Sequence, residues 1–309
     1  MIQRKAGGGG AVVDNGLWVA VGDFGDSSVI ATSTDNGVNW TALPSDSSGG
    51  IIYGRGVGYG NGRLFVAGYQ SIAYIENTTS FTPVPIEVTY INHARDIAYA
   101  DGRWVVVGSN THYSTDNGSN WTVVGGGNIS GRGVAYGNGR WVVVGDGSKI
   151  EYSTNGTSWT AASSVGGITT GHSVAYANSR WIVVGQGSPI VVSSNGTSWG
   201  AVSLADRGGI TFGRGVAYGN GRWVVVGDGT TPIVTSISNG INWFSVPVAN
   251  CGGITTGFGV TYENGRWVVV GTGSTIAYST NGTNWFAASS VGGIATGYGV
   301  AWKPPLGTG

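Results

Sequence analysis

The sequence predicts an all-β, seven-bladed β-propeller of four-stranded antiparallel blades, on three observations. One segment recurs seven times, clearest as Gly133-Val-Ala-Tyr-Gly-Asn-Gly-Arg-Trp-Val-Val-Val-Gly-Asp-Gly147 followed by Ser153-Thr-Asn-Gly-Thr-Ser-Trp159. The residues that open its most apolar run (Trp18, Leu64, Trp104, Trp141, Trp181, Trp223 and Trp267) fall roughly 40 residues apart, a propeller-blade spacing. No helical period appears within a unit, whereas short β signals punctuated by Asn-Gly recur throughout.

Each unit reads as four strands. Gly-Val-Ala-Tyr, as at Gly133–Tyr136 or Gly215–Tyr218, is the first. Asn-Gly follows, and both of its residues tolerate the positive φ of a two-residue hairpin. Trp-Val-Val-Val-Gly, as at Trp141–Gly145, is apolar at every position, so both its faces should be buried. Blades sandwiched between neighbours meet that condition. Lys149–Ser153 and its equivalents form the third strand, and the fourth starts at Trp159 and its counterparts.

The ring must also close, because a free sheet edge invites aggregation. First-strand signals number eight, since Ala11-Val-Val13 precedes the first unit and Gly299-Val-Ala-Trp302 follows the last. Gly299–Trp302 matches the repeat better, and Pro304-Pro305 stops it, so it is expected to join the first blade. The alternative places Ala11–Val13 there and gives the C-terminal copy to a truncated eighth blade. The domain layout is a flexible arm over 1–10, one propeller over 11–302 and a tail over 303–309.

Composition narrows the function. Net charge is zero and charged residues are only 10%, which disfavours tracking a nucleic-acid backbone. No apolar run is long enough for a membrane helix, and no apolar stretch follows the charged start to make a signal peptide. Cys251 is the single cysteine, so no intrachain disulfide forms. The 59 glycines stand beside 13 tryptophans, and large apolar residues at that frequency argue for turns rather than disorder.

The turn between strands three and four is the sharpest motif. It reads Ser33-Thr-Asp-Asn-Gly-Val-Asn-Trp40 and Ser114-Thr-Asp-Asn-Gly-Ser-Asn-Trp121 in a longer form. Shorter copies end at Trp159, Trp199 and Trp285, and Ile237-Ser-Asn-Gly-Ile-Asn-Trp243 is a further copy. This motif resembles the Asp-box (BNR) hairpin of sialidase-like and photosystem-II-assembly-factor-like β-propellers, over nearly the whole chain. Asn usually stands where that family has Asp, which keeps the acceptor and loses the charge. The resemblance implies a propeller in which the box is structural and carries no activity. A short polar side chain then bonds the turn amides, Gly takes positive φ, and Trp40, Trp121, Trp159, Trp199, Trp243 and Trp285 staple each hairpin to its blade. The second unit departs from the pattern, with Glu76-Asn-Thr-Thr-Ser-Phe81 followed by Pro83-Val-Pro85-Ile-Glu-Val-Thr-Tyr-Ile-Asn-His93. It reads either as drift in one blade or as a functional loop.

Strand order sorts the loops onto two faces. Asn-Gly hairpins and box turns share the face that hardly varies. Links between strands two and three, and between blades, share the variable face, where binding is expected. There Arg55, Arg95, Arg132 and Arg214 open the first strand in four blades, and His172, Phe258 and Tyr298 hold the matching place elsewhere. Such a ring around the central opening suits a carboxylate or sulfate group on a glycan or peptide. The competing reading is ion pairing, since Arg132 with Asp146 and Arg214 with Asp228 sit at one offset. Arg55 and Arg95 lack that partner and are the stronger binding candidates. The Gly-Gly-Ile segments at Gly166, Gly208, Gly252 and Gly292 lack a P-loop lysine and are expected to cross tightly near the axis, with Ile filling apolar space. Arg63, Arg103, Arg140, Arg180, Arg222 and Arg266 belong to the invariant face and recur too regularly for a site.

His93, His112 and His172 fall on the variable face, with His93 and His112 flanking one blade, but no recurring acid or cysteine completes a metal site. Asp23-Phe-Gly-Asp26 is too short for a calcium loop. The resemblance to sialidases would imply an arginine triad, a Tyr–Glu nucleophile pair and an acid/base. Glutamate is confined to Glu76, Glu87, Glu151 and Glu263, and no carboxyl pair can be nominated. The expectation is a non-enzymatic, cofactor-free module that binds a glycan or protein or is displayed on a particle, filament or cell surface, as a virion or appendage component. A homo-oligomer or larger assembly suits display; nucleic acid and membrane insertion are not expected. A sialidase-like hydrolase is the alternative.

Overall fold

A computed structural model describes residues 16–24, 29–69, 71–76, 80–84, 91, 93–124 and 130–305. The proposed N-terminal arm, Ala11–Val13, Glu87, Asp26 and most of the C-terminal tail lie outside the described residues. Seven four-stranded antiparallel sheets form the blades of a propeller. Blade four shows the pattern, with strands Gly131–Gly137, Arg140–Gly145, Ile150–Ser153 and Thr160–Ala161 running outward from the axis. The inner hairpin turns at Asn138 (φ 49°) and Gly139 (φ 71°), the left-handed pair that a two-residue connection between twisted strands requires.

The second strands form the core. Trp141 is 1% exposed and Val142 to Val144 are fully buried, because a neighbouring blade covers each sheet face. The apolar clusters cross blade boundaries: Ile182 and Val184 of blade five pack with Val216, Trp223 and Val225 of blade six. The outer strands are only two residues long, which leaves little edge for another chain to pair with.

Blade one is completed from the far end of the chain. Ile294–Lys303 pairs antiparallel with Leu17–Phe24, with Trp18 opposite Trp302 and Val21 opposite Gly299. The C-terminal copy therefore closes the ring, and no truncated eighth blade forms among the described residues.

The turns between strands three and four are built in two ways. In the longer form Asp35 Oδ1 accepts the N–H of Val38 (3.2 Å) and Asn39 (2.9 Å), while Asn36 holds φ 61°. In the shorter form Asn155 Oδ1 takes the equivalent bonds from Thr157 and Ser158. Ser238 fills the place of Asp35 in blade six, its Oγ accepting the Asn242 N–H. Trp40, Trp121, Trp243 and Trp285 close their turns by donating Nε1–H to the carbonyls of Gly37, Gly118, Gly240 and Gly282. Trp199 is equally buried, whereas Trp159 is half-buried.

This face locks blades together. Arg63 Nη1 donates to Asn117 O of the next blade at 2.6 Å, and Arg140 Nη1 donates to Asn195 O in the same manner. Arg63, Arg103, Arg140 and Arg266 also lie over Tyr74, Tyr113, Tyr152 and Tyr278 of their own blades. On the opposite face the link between strands two and three meets the link entering the same blade: Ser188 N–H bonds Gly167 O, and Thr230 N–H bonds Gly209 O. The Gly-Gly-Ile segments depart from expectation. Gly166 packs on Val191 and Gly200, which belong to the outer half of blade five, not to the axis. The isoleucine begins a ten-residue inner strand, as at Ile168–Ala177, and is buried between blades.

Candidate functional site

Side chains reach the axis through a repeated defect. Between Gly131 and Gly133 the inner strand of blade four slips register, leaving Arg132 unpaired. The same bulge leaves out Arg55, His172, Arg214, Phe258 and Tyr298 in their blades. Arg95 immediately precedes the inner strand of blade three. A bulge re-aims one side chain out of the sheet's alternation, and in six blades the residue it re-aims lines the axial opening. Glycines on either side make room. A Cβ on Gly257 would meet Val226 of the neighbouring blade at 2.5 Å, and one on Gly259 would meet Tyr298 O at 2.6 Å.

Arg55, Arg95, Arg132, His172, Arg214, Phe258 and Tyr298 line one open cavity of about 360 Å³. Tyr53, Tyr69, His93 and Ala94 widen it toward blades two and three. His112 is not among the lining residues; its side chain is buried within blade three, and burial lowers its pKa.

Stacked side chains run along one arc of the ring, from His172 to Arg55. His172 meets Phe212 edge-on at 4.8 Å, and Arg214 lies between Phe212 (4.3 Å) and Phe258 (4.6 Å). Phe258 meets Tyr298 at 5.1 Å, and the Arg55 guanidinium covers the Tyr298 ring at 4.1 Å. Such stacking holds each guanidinium plane without consuming its donors. Tyr69 bridges Tyr53 and His93 edge to face, and His93 sits at φ 56°, a left-handed conformation that costs a residue with a Cβ.

Carboxylates offset part of the positive charge. Arg132 Nε donates to Asp146 at 2.6 Å, and Arg214 Nε to Asp228 at 2.8 Å. Arg55 and Arg95 are not without partners, contrary to the sequence reading. Arg95 reaches Asp146 at 3.2 Å, and Arg55 lies 3.9 Å from Asp23. Both partners belong to a neighbouring blade, and an offset counted within one repeat cannot show a contact made across blades. Arg55 has the longest pair and the most exposed side chain of the four, at 42%, so it is the least compensated.

These contacts set the charge states. Burial raises the Asp146 carboxyl, but bonds and charge from Arg132, with Ser130 and Arg95, outweigh it and hold the pKa below the ordinary value. Burial and the nearby Arg132 and Arg214 charges push His172 down to about 4, so its imidazole is neutral at pH 7. Burial and the Asp23 carboxylate raise the Tyr298 hydroxyl, which donates to Asp23 Oδ2. The mouth therefore presents four guanidiniums beside a neutral His172 imidazole and a Tyr298 hydroxyl held as a donor.

No family model and no curated protein matches the sequence. Solved structures do. The chain is similar to YCF48 bound to a D1 peptide, with TM-score 0.59 and 16% identity over 83% of this chain and 85% of that one. It is similar to a chain of a nidogen/laminin complex, with TM-score 0.54 and 11% identity over 93% and 98%. A GH74 enzyme of Niastella koreensis matches with TM-score 0.53 and 17% identity over 89% of this chain but 44% of that one, so this chain spans under half its length. At these identities the likeness establishes the propeller fold alone.

Tyr53 and Tyr69 are site residues that sequence reasoning missed. Their signal is positional: Tyr53 lies two residues before Arg55, as Phe212 does before Arg214, and Tyr69 holds in blade two the offset of Asp146 and Asp228. Among the described residues no group of three His, Cys, Asp or Glu side chains converges as metal ligands would.

Proposed function

We propose that this chain is a non-catalytic binding module whose partner, a peptide, protein or glycan, places an acidic group in the ring at the axial mouth. The carrying observation is convergence: seven bulged or adjoining residues from seven blades line one cavity and bring four guanidiniums to it. A carboxylate or sulfate bound there gains charge-assisted, potentially bidentate hydrogen bonds. A pit ringed by side chains from all seven blades favours a projecting acidic group over a chain lying flat. One structural neighbour is bound to a D1 peptide and another is a chain of a nidogen/laminin complex, which supports a peptide or protein partner. The turns between strands three and four fit the Asp-box arrangement, with Asp35 and Asp116 in the longer form and Asn155, Asn195 and Asn281 in the shorter. In this reading the box holds blades and leaves recognition to the opposite face.

Among the described residues no Asp or Glu lines the mouth, and the nearby Asp23, Asp146 and Asp228 lie against arginines. That supports a binding role over glycoside hydrolysis, which generally needs two carboxyl groups flanking one bond. Arrays of acidic glycans and acidic peptides test the proposal. An acidic member should bind, and Arg55→Ala or Arg95→Ala should weaken it at least about tenfold, the scale of a charge-assisted contact. Binding indifferent to both substitutions, or turnover of a sialoside, overturns it.

A further inference from the structure

The ring lines two cavities. Beneath the mouth a space of about 390 Å³ follows the axis between the inner strands, bounded by the same seven side chains and mainly by glycine, valine and alanine below them. Among the described residues lining it, Asp96 carries the only carboxylate. Five blades have glycine at its position, as at Gly56 and Gly133, and blade five has Ser173. Asp96 is thus an acid placed where five other blades have no side chain and one has a hydroxymethyl.

Its carboxylate is held in the wall. Oδ1 accepts the Ile97 N–H at 2.9 Å, and Oδ2 accepts the Val134 N–H of the next blade at 3.0 Å. Each carboxylate oxygen can accept more than one hydrogen bond, so both retain acceptor capacity in a residue that lines the channel.

We infer that Asp96 makes the channel a second subsite, for an ammonium group, and that the two cavities together recognise an amino carboxylate, its carboxylate at the arginine ring and its amine beneath. The inference rests on the proposed reading of the ring as an anion site. Charge order fixes the orientation, since the guanidiniums attract the anionic end at the mouth and Asp96 repels it farther in. Asp23, Asp146 and Asp228 offset part of the ring charge, so a single ammonium can pass it. An extended spacer between the two groups meets the apolar channel wall.

Burial pushes the Asp96 carboxyl up to about 7, with the Val134 and Ile97 amides opposing. The other ionisable side chains among the described residues lining the channel are Arg55, Arg95, Arg132, Arg214, Tyr218, Tyr298, whose hydroxyl burial pushes up, and His172, pushed down to about 4. Between about pH 6 and pH 8 Asp96 therefore changes charge, and preference for an ammonium rises with pH across that window.

Nuclear magnetic resonance titration of the whole chain tests this at about pH 8, where the carboxylate is ionised. The probes are γ-aminobutanoate, ε-aminohexanoate and ω-aminooctanoate, each against the straight-chain carboxylate lacking its amine. At least one amino carboxylate should bind about tenfold or more tighter than its match, the scale of a charge-assisted bond. Asp96→Gly, the residue of five other blades, should bring that ratio to about one; Asp96→Asn is the second variant should the first fail to fold. Equal affinity within every pair, with carboxylate binding still lost in Arg55→Ala/Arg95→Ala, sinks the subsite and leaves the ring reading standing. No carboxylate binding at all sinks both.

Discussion

Asp96 carries its own cost. Burial raises its carboxyl to about 7 from an ordinary 3.8, so the folded protein holds a proton that the unfolded chain releases. The sign follows: Asp96 leaves stability intact below about pH 4 and lowers it progressively as pH rises to about 7. Asp96→Asn should therefore gain on the parent across that interval, by on the order of 1–2 kcal/mol, since the channel wall is not fully sealed. Denaturant unfolding of both proteins at several pH values measures it, and parallel stability curves would show that the carboxyl ionises normally. The fully buried Trp141, Trp181 and Trp223 are legible in sequence as openers of apolar runs. Asp96 is not, because its effect depends on the blade that faces it.

At the scale of the element, the strand-three to strand-four hairpin uses one mechanism with two acceptors. Asp116 accepts the backbone N–H of Asn120 at 2.9 Å, its side-chain Nδ2 at 2.7 Å and Ser114 Oγ at 2.7 Å. Burial raises the carboxyl, but these bonds together outweigh it and its pKa falls below the ordinary value. Asp116→Ala should cost about 1–2 kcal/mol, the worth of exposed bonds to a charged acceptor. Asp116→Asn should cost less, because Asn155, Asn195 and Asn281 perform the same task elsewhere. A depressed carboxyl stabilises above about pH 4 and loses that contribution as pH falls, so the Asp116→Ala deficit should shrink in acid. Thermal unfolding at two pH values reads both effects, and an Asn variant as weak as the Ala variant would rule out the shared-acceptor account. This hairpin was readable residue by residue because its bonds are local. The bulge was not: Gly-Xaa-Gly at Gly131–Gly133 or Gly213–Gly215 could be seen, but not that Xaa drops out of register.

The whole molecule depends on one long-range pairing. Ile294–Lys303 supplies the inner strand of blade one, and without it Leu17–Phe24 becomes an unpaired edge. Val300 and Ile294 also leave the cluster that holds Trp18, Trp40, Val268 and Val270 across the closing interface. A chain ending at Val291 should therefore lose cooperative unfolding and associate, whereas one ending at Pro305 should keep the parent's transition. Circular dichroism melts and size-exclusion chromatography distinguish these outcomes, and a cooperative monomer lacking 292–309 would contradict this closure. No helix among the described residues is long and apolar enough to cross a membrane.

Sequence alone determined the blade count, the strand order, the sorting of loops onto two faces and the residue each blade offers to the axis. All of these follow from periodicity and hairpin chemistry, which act over a few residues. Tertiary structure decided which charges meet. Arg95 shares Asp146 with Arg132, Arg55 answers Asp23, and Asp96 reaches Val134, each pairing groups from different blades. It also decided that the recurrent Gly-Gly turn packs against outer strands and that six of the seven axial residues sit in bulges. The physical reason is one of range: a repeat encodes its own sheet, but a contact between blades depends on how sheets twist and close into a ring.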